Sequence, residues 1–145
     1  MSACDLSTDK PGGGIDALSE ALTARGIYPT AQRVEIARVL LPRCQHLSAE
    51  AIFARVNEQG PRVSKATVYN TLKLFAEKGL VREVIVDPTK IFYDSNILPH
   101  HHVYNVSTGE LMDIEAHHLR VVGLPPLPTG TAVDGMDVIV RVRRT

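Results

Sequence analysis

The chain has 145 residues, 44% of them apolar, enough to bury a core as one domain or as two small ones sharing a dimer. No apolar run approaches the roughly 18 residues a membrane span needs and the N-terminus lacks the apolar segment of a secretory signal, so a cytoplasmic protein with no membrane partner is expected. The net charge of zero hides an asymmetry: residues 15–82 carry ten Lys/Arg against six Asp/Glu, residues 83–145 five against eight, so a modestly basic half that suits a polyanion precedes an acidic one. The two cysteines, Cys4 and Cys44, form neither a Cys-x-x-Cys pair nor a disulfide framework and are expected to be ordinary thiols.

Residues 1–14 end in Pro11-Gly12-Gly13-Gly14 and predict a flexible tail. Leu18 and Leu22 then recur at helical spacing over 15–25, with Gly26 as the stop. Thr30 is placed to cap a second helix reaching about Leu41, and Ser48 a third in which Ala49, Ile52, Phe53 and Val56 make an apolar stripe before Gly60-Pro61. Ser64 opens a fourth helix that ends at Gly79. Steps of about 100° per residue put Val68, Leu72 and Phe75 on one side and Ala66, Asn70, Lys73 and Glu77 on the other, with Thr67 and Tyr69 at the flanks. One face is therefore core, and the other is free to touch a partner. Two β-rich runs, 80–86 and 91–93, bracket the turn Asp87-Pro88-Thr89-Lys90 and predict a hairpin. Short helices followed by a hairpin make the layout of a winged helix-turn-helix, with the helix over 64–78 in the major groove of DNA. On that layout Tyr69 packs on a thymine methyl and Asn70 meets a base, while Lys65, Thr67, Lys73 and Arg33 contact phosphates. Without the layout all six would read as an ordinary solvated helix face.

The second half opens on a run of potential ligands: Asp94, then His100-His101-His102, then Asp113, eleven residues beyond the last histidine. Imidazole nitrogen and carboxylate oxygen suit divalent iron, manganese, zinc or cobalt, although adjacent histidines in an exposed turn also bind metals adventitiously. Beyond it, 103–106 and 110–114 flank Ser107-Thr108-Gly109 as a second hairpin. Leu124-Pro125-Pro126-Leu127-Pro128 must be irregular, and 137–143 alternates as a final strand. The expected fold class is α+β: a tail over 1–14, a winged helix-turn-helix domain over 15–92, a hinge over 93–99 and a small α/β dimerisation domain over 100–145.

Three stretches resemble one family. Lys65-Ala-Thr-Val-Tyr-Asn-Thr-Leu72 resembles the recognition-helix signature of the ferric uptake regulator (Fur) superfamily, Gln45-His-Leu-Ser-Ala-Glu50 the segment that opens its third helix, and Pro99-His-His-His-Val-Tyr104 its histidine cluster. The unbroken triple histidine, the tail Met136–Arg144 and the lack of zinc cysteines look most like the iron response regulator (Irr) branch. The resemblance implies a homodimeric repressor of iron or manganese homeostasis that reads an AT-rich inverted repeat in double-stranded DNA. It also implies a regulatory site for Mn(II) or Fe(II), or Zn(II) in vitro, with ligands matched position by position by His46, Asp94, His100, His102 and Asp113. Asn105 and Thr108 stand where most members carry the first Cys-x-x-Cys pair, so no structural four-cysteine zinc is expected. Pro99 and His101 replace the histidine and aspartate of a second family metal site, to which His117 or His118 could contribute. The branch is associated with haem; its Cys-Pro motif is missing here, which leaves the triple histidine, His101 included, as the axial-ligand source. Tyr28 stands where the family carries a basic minor-groove residue.

Two other activities compete. Fe(II) held by this set could oxidise a neighbouring histidine in the presence of peroxide, which would make the protein a peroxide-sensing repressor. A His/Asp metalloenzyme would need a general base outside the ligand set, and the sequence offers no candidate for one.

Overall fold

A computed structural model describes residues 11–145; Cys4 and the first ten residues of the expected tail lie outside the described residues. The chain is α+β and divides into two compact units, the first ending at Leu98 and the second running from Pro99 to Thr145.

The first unit contains α1 (Ile15–Ala24), α2 (Ala31–Leu40), β1 (His46–Ser48), α3 (Ala49–Val56), α4 (Lys65–Glu77), β2 (Arg82–Asp87) and β3 (Lys90–Asp94). Three helices start where a hydroxyl can replace the missing turn. The Thr30, Ser48 and Ser64 oxygens accept from the backbone N–H of Arg33, Ala51 and Thr67, each cap contributing about 1 kcal/mol. α1 and α4 end alike: Gly26 and Gly79 take φ of +73°, and the next residue donates back five positions, Ile27 to Leu22 and Leu80 to Phe75. Arg25 Nη1 adds a hydrogen bond of 2.9 Å to the Gly79 carbonyl, tying these two helix ends together. The core lies where the periodicity put it, with Leu18, Leu22, Ile52, Val68, Leu72 and Phe75 inaccessible to solvent and Phe53 partly buried against it.

The connection between α3 and α4 is held by one side chain. Asn57 donates through Nδ2 to the carbonyls of Phe53 and Val63, and its Oδ1 accepts from the N–H groups of Arg62, at 2.7 Å, and Val63, at 2.9 Å. The amide thus takes the place of a backbone turn and fixes how α4 leaves α3.

The three strands of this unit form an antiparallel sheet in the order β1-β3-β2. The hairpin is tighter than expected: β3 begins at Lys90, and Asp87 Oδ1 closes the turn by accepting from both the N–H and the hydroxyl of Thr89 at 2.7 Å. β1, absent from the sequence reading, is too short for alternation to reveal; it is a strand because β3 offers it a partner.

In the second unit β4 (His100–Asn105) lies between β5 (Leu111–Glu115) and β6 (Ile139–Val142), antiparallel to the first and parallel to the second. Asn105 Oδ1 accepts from Ser107 and Thr108 N–H, and Gly109 at φ of +78° completes the β4–β5 turn. The expected mixture of helix and strand is only partly met, since the sole helical element among the described residues of this unit is a 3-10 turn, Ala116–His118. The segment over 119–138 forms no regular element, because its prolines remove backbone donors and few of its side chains have a core to join.

Cys44 also departs from expectation: it is disulfide-bonded rather than an ordinary thiol. A missing Cys-x-x-Cys pair excludes a framework of bridges but says nothing about a single one.

Candidate metal centre and nucleic-acid interface

The proposed ligands fall into two groups, each assembled by strand pairing. In the first unit His46 and Asp94 are direct partners across β1 and β3. Asp94 is 1% exposed, and its Oδ1 accepts from Asn96 N–H at 2.8 Å, which orients the carboxylate. The His46 ring meets the edge of Phe92, with centroids 6.0 Å apart.

Behind this pair sits a brace that the sequence reading missed. Ser95 is fully buried; its hydroxyl accepts from Gln45 N–H at 3.0 Å and donates to the Arg43 carbonyl at 2.8 Å, while its own N–H donates to the Gln45 carbonyl at 2.9 Å. Gln45 in turn sends its amide to the carbonyls of Val39 and Leu40 at the end of α2. A serine next to a candidate ligand carries no periodic signal, so only the fold reveals that it locks the strand bearing His46 to the one bearing Asp94.

In the second unit the alternation of β4 sends His100 and His102 to one side, where both are buried. The β4–β5 register sets His102 opposite Asp113 and His100 opposite Glu115. Asp113 Oδ1 lies 3.4 Å from His102 Nε2 and 3.7 Å from His100 Nε2, and the two imidazole centroids are 4.6 Å apart. Two nitrogens converging on one carboxylate oxygen form a donor set of the N/O kind that first-row divalent cations accept. Glu115 was not singled out from sequence, although counting back along the hairpin from the Asn105 turn would have found it.

The remaining histidines have other settings. His101, which points away from its neighbours, is half-buried and accepts through Nδ1 from Val138 N–H at 3.1 Å, at the start of β6. That bond engages one of its two ring nitrogens. His117 and His118 are exposed in the 3-10 turn, their rings tilted against each other at 4.0 Å.

Five of the six DNA candidates lie on α4 and the sixth, Arg33, on α2. Asn70, Lys65 and Lys73 are exposed on α4 and Thr67 and Tyr69 half-buried beside them, as the helical wheel requires. A groove of about 290 Å³ brings Arg33 from α2 alongside Thr67 and Asn70. Arg33 Nη1 donates to the Tyr28 carbonyl at 2.9 Å, which holds its guanidinium near the α2 N-terminus. Lys65 Nζ stands 5.8 Å from the centre of the Tyr69 ring.

Comparison with known proteins gives the family likeness of the chain. The sequence pattern of the Ferric uptake regulator family matches residues 24–123. The chain is 34% identical over 110 residues to the ferric uptake regulation protein of Synechococcus elongatus, covering 73% of this chain and 75% of that one. It is 29% identical over 102 residues to the peroxide-responsive repressor PerR of Staphylococcus aureus, 70% of this chain and 69% of that one. Among solved structures, the ferric uptake regulator of Pseudomonas aeruginosa with manganese superimposes with a TM-score of 0.66 at 25% identity, over 87% of this chain and 96% of that one.

Proposed function

Given that the chain belongs to the ferric uptake regulator family, we propose that it is a dimeric DNA-binding repressor that reports iron or manganese status. The observation that carries this reading is the donor set on β4 and β5, where His100, His102 and Asp113 converge at the position of the family's histidine cluster. In our reading His46 and Asp94 complete that set, and residues 15–92 form a winged-helix reading head, 93–99 a hinge and 100–145 the dimerisation domain. A divalent cation held this way supplies attraction to ligands on both sides of the hinge, and therefore favours one arrangement of reading heads over others. In a two-fold dimer each α4 would enter one half-site of an AT-rich inverted repeat, with Tyr69 and Asn70 on bases and Lys65, Thr67, Lys73 and Arg33 on phosphates. The unbroken triple histidine supports the iron response regulator branch. Haem is then a second effector to test, with His101, His117 and His118 as the histidines outside the proposed set.

The experiment is footprinting of the apo, Mn(II), Fe(II), Zn(II) and haem forms at one stated salt concentration. Protection of an inverted repeat that strengthens or weakens with at least one of these ligands is the expected result. Protection indifferent to all of them removes the sensor function and leaves only the DNA binding.

A second reading is favoured by the peroxide-responsive relative: the same site, loaded with Fe(II), oxidises one of its own histidines. Peptide mass spectrometry after peroxide should then find one added oxygen on a peptide containing His46 or the 100–102 run. Unmodified peptides, with iron loading verified, would exclude this chemistry.

A further inference from the structure

Glu50 has no part in any role described so far. It lies exposed in the first turn of α3, and Tyr69 Oη, nineteen residues away on α4, donates to its Oε1 at 2.7 Å. The bond holds the Glu50 carboxyl below the usual carboxylate range, helped by its own backbone N–H and by the charges of Lys90 and Lys65, and pushes the Tyr69 hydroxyl above the usual tyrosine value. At neutral pH the pair is therefore a phenol donating to a carboxylate, a charge-assisted hydrogen bond. An unrestrained tyrosine at a helix surface samples several χ1 and χ2 wells, and a ring that must lie flat on one methyl group loses that freedom on binding. Here the cross-helix bond fixes the far end of the ring before any partner arrives, with Lys65 over one face.

We propose that Glu50 is a specificity-determining positioning residue: by holding the Tyr69 hydroxyl it aims the ring at a thymine methyl, while its negative charge opposes binding to the phosphate backbone at large. The inference rests on the reading that Tyr69 meets a thymine. Glu50 thus sharpens sequence choice at the expense of affinity for any duplex, a division between attraction and repulsion common in specific binders.

The test uses the full chain loaded with Mn(II) and a duplex selected from a random library by the wild-type protein. Binding to that duplex is compared with binding to the same duplex carrying deoxyuridine in place of thymine, which removes only the methyl groups. Wild type should prefer the thymine duplex by about fourfold per contacted methyl, the transfer free energy of one such group. Glu50→Ala and Tyr69→Phe should both bring the ratio towards one, and Glu50→Ala should in addition bind unrelated duplex more tightly. Glu50→Gln, whose amide oxygen still accepts from the phenol, should keep the ratio. A wild-type ratio of one overturns the Tyr69 reading and this proposal together. A wild-type preference that survives intact in Glu50→Ala or in Tyr69→Phe leaves that reading standing and overturns the role of Glu50. Glu50 is exposed, and Tyr69→Phe keeps the half-buried ring and removes a single oxygen, so a folded protein is expected in each case.

Discussion

Replacing His102 by alanine should weaken Mn(II) binding by more than about 100-fold, since loss of a mere outer-shell partner already costs about 10–100-fold. His102 is 2% exposed and its Nε2 is the ring nitrogen nearer to Asp113. Its removal takes away one of the two buried imidazoles that converge on Asp113, and His101 on the same strand points elsewhere and engages Val138. Calorimetric titration measures the loss, with circular dichroism to confirm that the sheet persists. Asp113→Asn provides a second route to the same conclusion, as Asp113 is partly exposed and the amide nearly isosteric. His117→Ala, on the exposed 3-10 turn, should leave the affinity as it was. Wild-type affinity in both His102→Ala and Asp113→Asn would remove this face of the sheet from the metal site.

Phe75→Ala should cost about 3–5 kcal/mol, the range for truncating a fully buried aromatic. Phe75 is inaccessible to solvent in the middle of the core that all four helices share, and its carbonyl accepts the hydrogen bond that terminates α4. Small proteins are stable by only about 5–15 kcal/mol, so the variant should have a urea midpoint reduced by a large fraction with its slope unchanged. A midpoint within error of wild type would mean that the helices do not share one core. Because α4 carries Tyr69 and Asn70, DNA binding should fall with the folded fraction and recover where the variant is refolded at lower temperature.

The helices were legible from a capping hydroxyl at α2, α3 and α4, an apolar stripe, and a terminal glycine after α1 and α4. Ser64, Val68-Leu72-Phe75 and Gly79 are the clearest case. The two hairpins were legible from their turns. What escaped was whatever depends on contacts distant in sequence. β1 is three residues long and exists because β3 pairs with it; Ser95 matters because its hydroxyl reaches Arg43 and Gln45; Asn57 matters because its amide spans both ends of a loop. The ligand candidates were found through residue chemistry and family resemblance. How His46 comes to face Asp94, and His102 to face Asp113, follows from strand register, which turn residues fix only once both strands are known. The disulfide at Cys44 left no trace in spacing at all.

Three identical residues in a row pose an alignment problem for a strand. A slip of one position along β5 would set His101 across from Asp113 and turn His100 and His102 to the opposite side, and the local sequence His-His-His would register no difference. Chemically alike neighbours thus make the run degenerate, and its correct placement must be checked from outside. β4 is the middle strand, and its placement against β6 is marked separately, where His102 N–H donates to the Val138 carbonyl at 3.1 Å and His101 Nδ1 accepts from Val138 N–H. The middle histidine, whose ring points away from the proposed cation, is thus the one member of the run that marks where β4 sits along β6.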